Sequence, residues 1–462
     1  MRKSIVIICL FWSIASQAQN KQILYGFDNI PQGLLLNPGI ETSYKYHIGV
    51  PMISGASVNV NTSGITIADV FRDDSVSFFS GTDFNTKIAN ALDKIDNDDY
   101  ASLNMQIEVL SVGYKLNNRD YISAGFYTEA DAFITYPKDV FRLINEGNAP
   151  YIGENFSIAN PMVKAEVVGV LHAGISRRIN HELTLGARVK IYSGSLNVTS
   201  TDNTGTFTTE LGEDGIYTNY LNNINATVNS SGIYNADNET DLSAGEIFGN
   251  TFFGGNLGFG FDIGMTYHYN EQIEFTASLL DIGYINYSKD VRNATVKGNY
   301  AYSGINFLYD GSSNYWQDIG DDFDENVERE ENNDSYSVIR PIKFNSSFRY
   351  SFGKSRYESN CHDIRLKDYY DNAVGAQLYS VLRPNGLRWA FTGFYERKFT
   401  KFLNTKVTYT IDDFSATNIG LGMSANFWKL NVYGMLDNIF AVDDVANAHT
   451  ASLQFGVNFI FN

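Results

Sequence analysis

The feature that most constrains this chain is an alternation of apolar with small or polar residues, period two, kept up over unusually long runs. In segment 256–269, Leu257, Phe259, Phe261, Ile263, Met265, Tyr267 and Tyr269 fall on one side, and Asn256, Gly258, Gly260, Asp262, Gly264, Thr266 and His268 on the other. Segments 183–192, 342–352, 418–427 and 452–461 repeat the scheme. Successive side chains of a strand point to opposite faces, so each run is a strand with one apolar face. Strands of soluble sandwiches usually stop after about 5–6 residues. Runs of about ten or more match a tilted strand that crosses a bilayer, its apolar face in hydrocarbon and its polar face in a lumen. Backbone amides find no water in hydrocarbon, so such a sheet must close on itself.

The predicted fold is therefore all-β, a transmembrane antiparallel up-and-down β-barrel. About fourteen strands are expected, at 43–60, 103–117, 120–134, 162–178, 182–199, 252–269, 272–288, 337–353, 370–383, 387–399, 403–412, 417–428, 429–437 and 449–461. In the second strand the phase blurs after Val109, which suggests a bulge. The connections alternate as well. Tight turns at 117–120, 179–182, 270–271 and 400–401 fall at every second connection, and long loops lie at 62–102, 135–161, 200–251 and 289–336. Barrels of this type have short periplasmic turns and longer external loops, which puts both termini in the periplasm. Segment 354–369, with Cys361 and His362, is a long connection on the short-turn side and departs from that rule.

Composition supports the same reading. Eight prolines against 30 Tyr and 32 Phe suit strands that keep their ladder bonds. A net charge of -18 argues against nucleic acid as a partner. Arg2 and Lys3, the apolar run 4–15 and Ser16-Gln17-Ala18 form a secretory signal peptide over 1–18, too short to span a membrane. Its removal leaves Cys361 as the one cysteine, so no internal disulfide is expected. Residues 19–42 are then a periplasmic or plug segment ahead of the barrel, 43–462. Leu34, Leu35, Leu36, Asn37 and Pro38 are the plug candidates, because a barrel of this strand number has more room than side chains alone usually fill.

On the alternation, Glu129, Asp131, Lys164, Glu166, Arg188, Lys190, Asp262, Glu274, Lys343 and Arg349 face the lumen. Two readings follow: a selective polar channel, or salt bridges that fill the barrel. The mixture of signs favours the second. No catalytic, cofactor or metal residue is assigned. His449 and Ser452, three apart, do not share a strand face. His172 and His268 have no serine or carboxylate partner identifiable in sequence. Cys361 and His362 make a poor metal site by themselves. The acidic run 318–334 lacks the spacing of a calcium loop and reads as a solvated surface loop. Segment 138–146 is a short helix with Val140, Phe141 and Ile144 on one face, expected over the barrel mouth.

Several pieces occur in an order that carries a resemblance. Tyr136-Pro137-Lys138-Asp139-Val140-Phe141, Glu146-Gly147-Asn148 and Gly186-Ala187-Arg188-Val189-Lys190 are followed by Gly434-Met435-Leu436-Asp437-Asn438, His449 and Leu453-Gln454-Phe455-Gly456-Val457-Asn458-Phe459. Together they resemble a family of Bacteroidota outer-membrane proteins of unknown function, over nearly all of the mature chain. The resemblance implies a barrel in the outer membrane and no site residues. Asn37-Pro38 is similar to the Asn-Pro of fatty-acid-transporter-like barrels and to the opening of PorP/SprF-like barrels of type IX secretion. The expected function is non-enzymatic transport of a small or hydrophobic solute. The alternative is an accessory barrel with a periplasmic or secretion-system partner; a membrane-embedded hydrolase is a remote third. Lipid of the outer membrane is the one partner that every reading shares.

Overall fold

Each expected run forms a strand in a computed structural model that describes residues 21–66, 68–69, 89, 91–212, 215–235, 240–241, 243–303, 323, 326–354, 370–412, 414, 417–439 and 447–461. The expected signal peptide, Cys361, His362 and all of segment 354–369 except Lys354 lie outside these residues. Fourteen strands make the wall. They are β1 (Tyr46–Gly49 continuing as Ala56–Thr62), β2 (Tyr100–Lys115), β3 (Asp120–Thr135), β4 (Val163–Arg178), β5 (Leu183–Ser200), β6 (Asn256–His268) and β7 (Ile273–Tyr287). The circuit continues through β8 (Tyr336–Ile339 continuing as Lys343–Lys354), β9 (Tyr370–Arg383), β10 (Gly386–Lys398), β11 (Leu403–Ile411), β12 (Asn418–Phe427), β13 (Leu430–Asp437) and β14 (Thr450–Phe461). Each pairs antiparallel with its neighbours in sequence, and β1 closes the ring on β14, with Ile48 opposite Phe459 and Val58 opposite Leu453.

The wall is inverted relative to a soluble protein. Leu257, Phe259, Phe261 and Ile263 on β6 are 58, 51, 41 and 45% exposed, whereas Asp262 between them is fully buried. A continuous apolar exterior of this kind is solvated by hydrocarbon, so the barrel spans a membrane. Closure leaves no edge strand within it. Among the described residues no helix is long and apolar enough to cross a membrane.

Three register shifts among the described wall strands reset the alternation, one of them in the β4–β5 ladder between Val167 and Val168, opposite Ser195. The β2–β3 register slips between Glu108 and Leu110, which is the bulge expected at Val109. The β6–β7 register slips between Phe261 and Ile263, opposite Leu280 and Asp281. A bulge inserts one residue and moves every later side chain to the other face.

At the end opposite the short turns, three expected loops contain strands. Thr204–Leu211, Tyr217–Ser231, Val291–Tyr302 and Val327–Asn332, with the short Asn155–Ser157, form a sheet beyond the rim. It joins β5 where Asn197 pairs with Ser231. The sequence conceals this sheet because it is rich in Asn and Thr and lacks one continuous apolar face. The acidic strand Val327–Asn332 keeps Glu328, Glu330 and Glu331 exposed, with Arg292 and Arg329 on Glu331. The described residues also include the helices α1 (Gly33–Leu36), α2 (Lys138–Glu146) and α3 (Ala244–Asn250), and a 3-10 turn at Ala149–Tyr151. α2 forms over its expected residues but buries none of them. It lies against Asn155–Ser157, with Arg142 over the ring of Tyr151 at 4.2 Å, and leaves Ile144 exposed.

Candidate functional site

The lumen holds the chain's own N-terminal segment. Ile23, Leu24, Phe27 and Ile30 are buried against Tyr433 and Met435 of β13. Leu34, Ile40 and Tyr44 are buried with Tyr121 of β3, and Leu35 packs on an apolar cluster that includes Tyr127, Val168, Val170 and Tyr192. Up to Tyr44 this segment joins no strand ladder; its own turns satisfy part of its backbone, and the remaining buried carbonyls need other donors. The wall supplies them. Lys406 and Gln377 donate to the Tyr25 carbonyl at 2.6 and 2.9 Å. Arg188 donates to the carbonyls of Leu34 and Leu35 at 2.8 and 2.7 Å. Ser278 reaches Leu36 at 2.6 Å, Thr266 reaches Gly39 at 2.9 Å and Ser176 reaches Ile40 at 3.0 Å. Gln32 of the segment donates to Glu108 at 2.6 Å and to Asn458 at 2.9 Å.

Asn37-Pro38-Gly39 touches the wall itself. Gly186 of β5 and Gly264 of β6 stand directly opposite each other, flanked by Ser176 and Ser278. This row of small residues is a shelf. A Cβ on Gly186 would come within 2.0 Å of the Pro38 carbonyl, and one on Gly264 within 2.1 Å of Asn37 Oδ1. Asn37 Oδ1 also accepts the Gly39 N–H at 2.8 Å, and Asn37 Nδ2 donates to the Met265 carbonyl at 3.2 Å. The segment leaves the shelf toward the short-turn end at Glu41. Its carboxylate lies 3.3 Å from His268 Nε2 and 3.6 Å from Arg178 Nε and accepts from Thr184 at 2.5 Å. Burial pushes this carboxyl up, but the hydrogen bonds from His268 and Thr184, with the charges of His268 and Arg178, outweigh it and hold it down at about 2.

The remaining inner wall is an ion network. Five cations, Arg188, Lys190, Arg340, Lys343 and Arg383, meet five carboxylates, Glu129, Asp131, Glu166, Asp262 and Asp281. Arg188 Nε donates to Asp262 at 2.7 Å, and Lys190 lies 3.0 Å from the same carboxylate. Lys343 bridges Glu129 at 3.2 Å and Asp281 at 3.0 Å. Arg340 joins Glu129 at 2.6 Å and Glu166 through its other terminal nitrogen. Arg383 is paired with Asp131, and Asn104 donates to both Glu129 and Asp131 at 2.9 and 3.0 Å. Closer to the short-turn end, Arg349 donates to Glu396 at 2.6 Å and Glu274 lies 3.7 Å from His268 Nδ1. Lys164 is half-buried and donates to the Ile339 carbonyl at 2.8 Å. Charges taken out of water at this density persist through mutual pairing and hydrogen bonds.

Sequence reasoning did not find Asp281, Arg340, Arg383, Glu396 or Glu108 as members of these networks. Asp281 and Arg340 follow from phase changes. Glu274, Thr276 and Ser278 face inward, so unbroken alternation sends Asp281 outward; the bulge turns it in. Arg340 precedes Pro341, where β8 is interrupted between Ile339 and Lys343, and it too points inward. A Pro in the middle of an alternating run was the available signal.

The histidines considered for chemistry are spread around the barrel. His172 is buried against Tyr127, with ring centroids 5.7 Å apart, and neither ring nitrogen has a hydrogen bond among the described residues. His449 sits within 3.1 Å of the Thr62 carbonyl, while Ser452 pairs with Asn59 and Asp437. Among the described residues no group of three or more His, Cys, Asp or Glu side chains is placed to hold a metal ion.

Comparison with known proteins places this arrangement in context. Residues 38–437 match a family described as a family of unknown function, DUF5723. No curated protein matches the chain. Similar solved structures include a FadL homologue of Pseudomonas aeruginosa, 11% identical over 97% of this chain and 100% of that one, with a TM-score of 0.44. The toluene transporter TodX of Pseudomonas putida is 10% identical over 96% of this chain and 93% of that one, at 0.35. The translocator domain of the autotransporter NalP from Neisseria meningitidis is 8% identical over 91% of this chain and 90% of that one, at 0.31.

Proposed function

The chain belongs to the DUF5723 family of unknown function, and from that premise we propose that it is a non-enzymatic outer-membrane barrel that passes a small or hydrophobic solute when its N-terminal segment shifts within the lumen. The observation that carries this reading is how that segment is held. Residues 21–44 pack into the lumen without joining the sheet, and six of their backbone carbonyls, those of Tyr25, Leu34, Leu35, Leu36, Gly39 and Ile40, accept from side chains of the wall. Such a stopper moves without breaking a single ladder bond of the barrel. In this reading the short turns lie in the periplasm, the outer sheet lies outside the cell, and Leu34, Leu35, Leu36, Asn37 and Pro38 belong to the plug.

Planar bilayers test the proposal. The purified chain is expected to be closed or to flicker, and a variant lacking residues 21–42 to conduct steadily and to admit small apolar solutes into liposomes. A deletion variant that folds, by its heat-modifiable migration on gels, yet stays sealed overturns it. The sheet beyond the rim favours a second reading, an accessory barrel for secretion or surface display, because it presents a broad polar surface to a partner. Cross-linking from Glu330 in cells should then recover that partner; recovery of the barrel alone rejects it.

A further inference from the structure

The segment that leads into β6, residues 243–255, does not stand out from the rim. It folds down over the outer face of β3, β4 and β5. Ser243 caps α3: its hydroxyl accepts the Glu246 N–H while the Glu246 carboxylate accepts the Ser243 N–H at 2.8 Å. Beyond the helix, the Asn250 carbonyl accepts from Ser193 Oγ at 3.0 Å. The Thr251 carbonyl lies so close to Gly169 that a Cβ there would meet it at 1.9 Å. Gly169 and Ser193 are paired and point outward, since Val168, Val170 and Tyr192 beside them belong to the lumen cluster. Small residues thus make a dent in the exterior, and the backbone at Asn250 and Thr251 fills it.

Three phenyl rings follow. Phe252 stacks on Phe126 with centroids 5.0 Å apart, Phe253 lies 6.1 Å from Phe126, and Phe248 meets Phe252 edge-on at 5.5 Å. Phe126 is part of an outward row that crosses five strands, Leu110–Phe126–Leu171–Ile191–Phe259, each opposite the next in the ladder. This row runs through the middle of β2 to β5, inside the apolar exterior. Phe248, Phe252 and Phe253 cover part of it and are themselves 41, 45 and 48% exposed. Phe253 adopts a left-handed φ of 67°, a region that disfavours side-chain-bearing residues, and there its ring turns back onto the wall.

We propose that residues 243–255 are a membrane-inserted strap whose Phe248, Phe252 and Phe253 lie among lipid acyl chains. The occupant follows from continuity. The rings extend a row that already faces hydrocarbon, whereas a segment lying in water would hold three half-exposed phenyls at no gain. Lys289, which donates to the Gly254 carbonyl at 2.9 Å, ties the end of the strap to the rim.

Spin labels on the full chain in liposomes test this. Phe252→Cys and Phe253→Cys are made with Cys361→Ser, with Phe259→Cys as the lipid-facing reference and Ile216→Cys, in the turn before the outer-sheet strand Tyr217–Ser231, as the aqueous one. Labels at 252 and 253 are expected to relax with oxygen and to resist a water-soluble nickel chelate, as at 259. Nickel accessibility equal to that at 216 overturns the proposal. Hydroxyl-radical footprinting of the unmodified protein gives the same answer without substitution. Phe248, Phe252 and Phe253 should lose labelling to the level of Phe259 and Phe261; labelling as strong as at Tyr217 rejects insertion.

Discussion

Oδ1 of Asp262 accepts the backbone N–H of Asp281 at 2.6 Å. Asp281 has a φ of 60°, at the point where the β6–β7 ladder slips by one residue. One carboxylate therefore fixes the bulge that brings a second into the lumen, where Lys190 and Lys343 meet it. Asp262→Asn keeps an oxygen for the Asp281 N–H but removes the charge between Arg188 and Lys190. Breaking a buried pair costs about 3–5 kcal/mol. The expected outcome is loss of the folded, fast-migrating gel band at a clearly lower temperature. A variant that melts with the wild type would show that the network does not hold the barrel together.

Arg340 is the junction of Glu129 and Glu166. Arg340→Met leaves both carboxylates short of a counter-charge, with an expected loss of about 3–5 kcal/mol. Adding Glu166→Gln should recover part of it, because neighbours in one network are not additive. Thermal melts of the single and double variants measure the coupling; purely additive losses would contradict it.

The glycine shelf seats Asn37 and Pro38 of the N-terminal segment. Gly264→Val or Gly186→Val puts a side chain where Asn37 and Pro38 now lie. Either change is expected to displace the segment and raise conductance in planar bilayers. Ala187→Val, on the outward face between the exposed Leu185 and Val189, should leave conductance unchanged. Equal effects from all three would mean that the shelf does not seat the plug.

Glu41 makes the seat sensitive to acid. Its carboxyl is held at about 2 in the folded chain against an ordinary 4.5. A depressed carboxyl contributes stability that is complete above the ordinary value and is lost as pH falls from about 4.5 through about 2. Proteolysis of the N-terminal segment, or conductance, should rise across that window. Glu41→Gln should show the acid behaviour already at neutral pH and lose most of the pH dependence. A wild-type profile that is flat down to the lower limit would remove Glu41 from the latch.

Much of the wall was legible. The long alternating runs of β6, β8 and β14 have no use in water, since their apolar side has no core to face, and tight turns at every second connection fixed their order. The inward positions of Glu129, Asp131, Glu166, Arg188, Lys190 and Asp262 followed from parity alone. Parity failed where a bulge or Pro341 reset it, which hid Asp281 and Arg340. It was silent for the outer sheet, whose strands are wet on both sides.

By itself, then, the sequence determined that this chain closes into a barrel and which side of each regular strand meets lipid, because both depend on a local period that the residues carry openly. Only the tertiary structure decided what fills the barrel. The glycine shelf, the donors aimed at Leu34 and Leu35, the junction at Arg340 and the strap over Phe126 join residues far apart in the chain. Their partners are chosen by closure of the ring, which brings distant strands and the N-terminal segment into one lumen and leaves buried charges and carbonyls only each other to pair with.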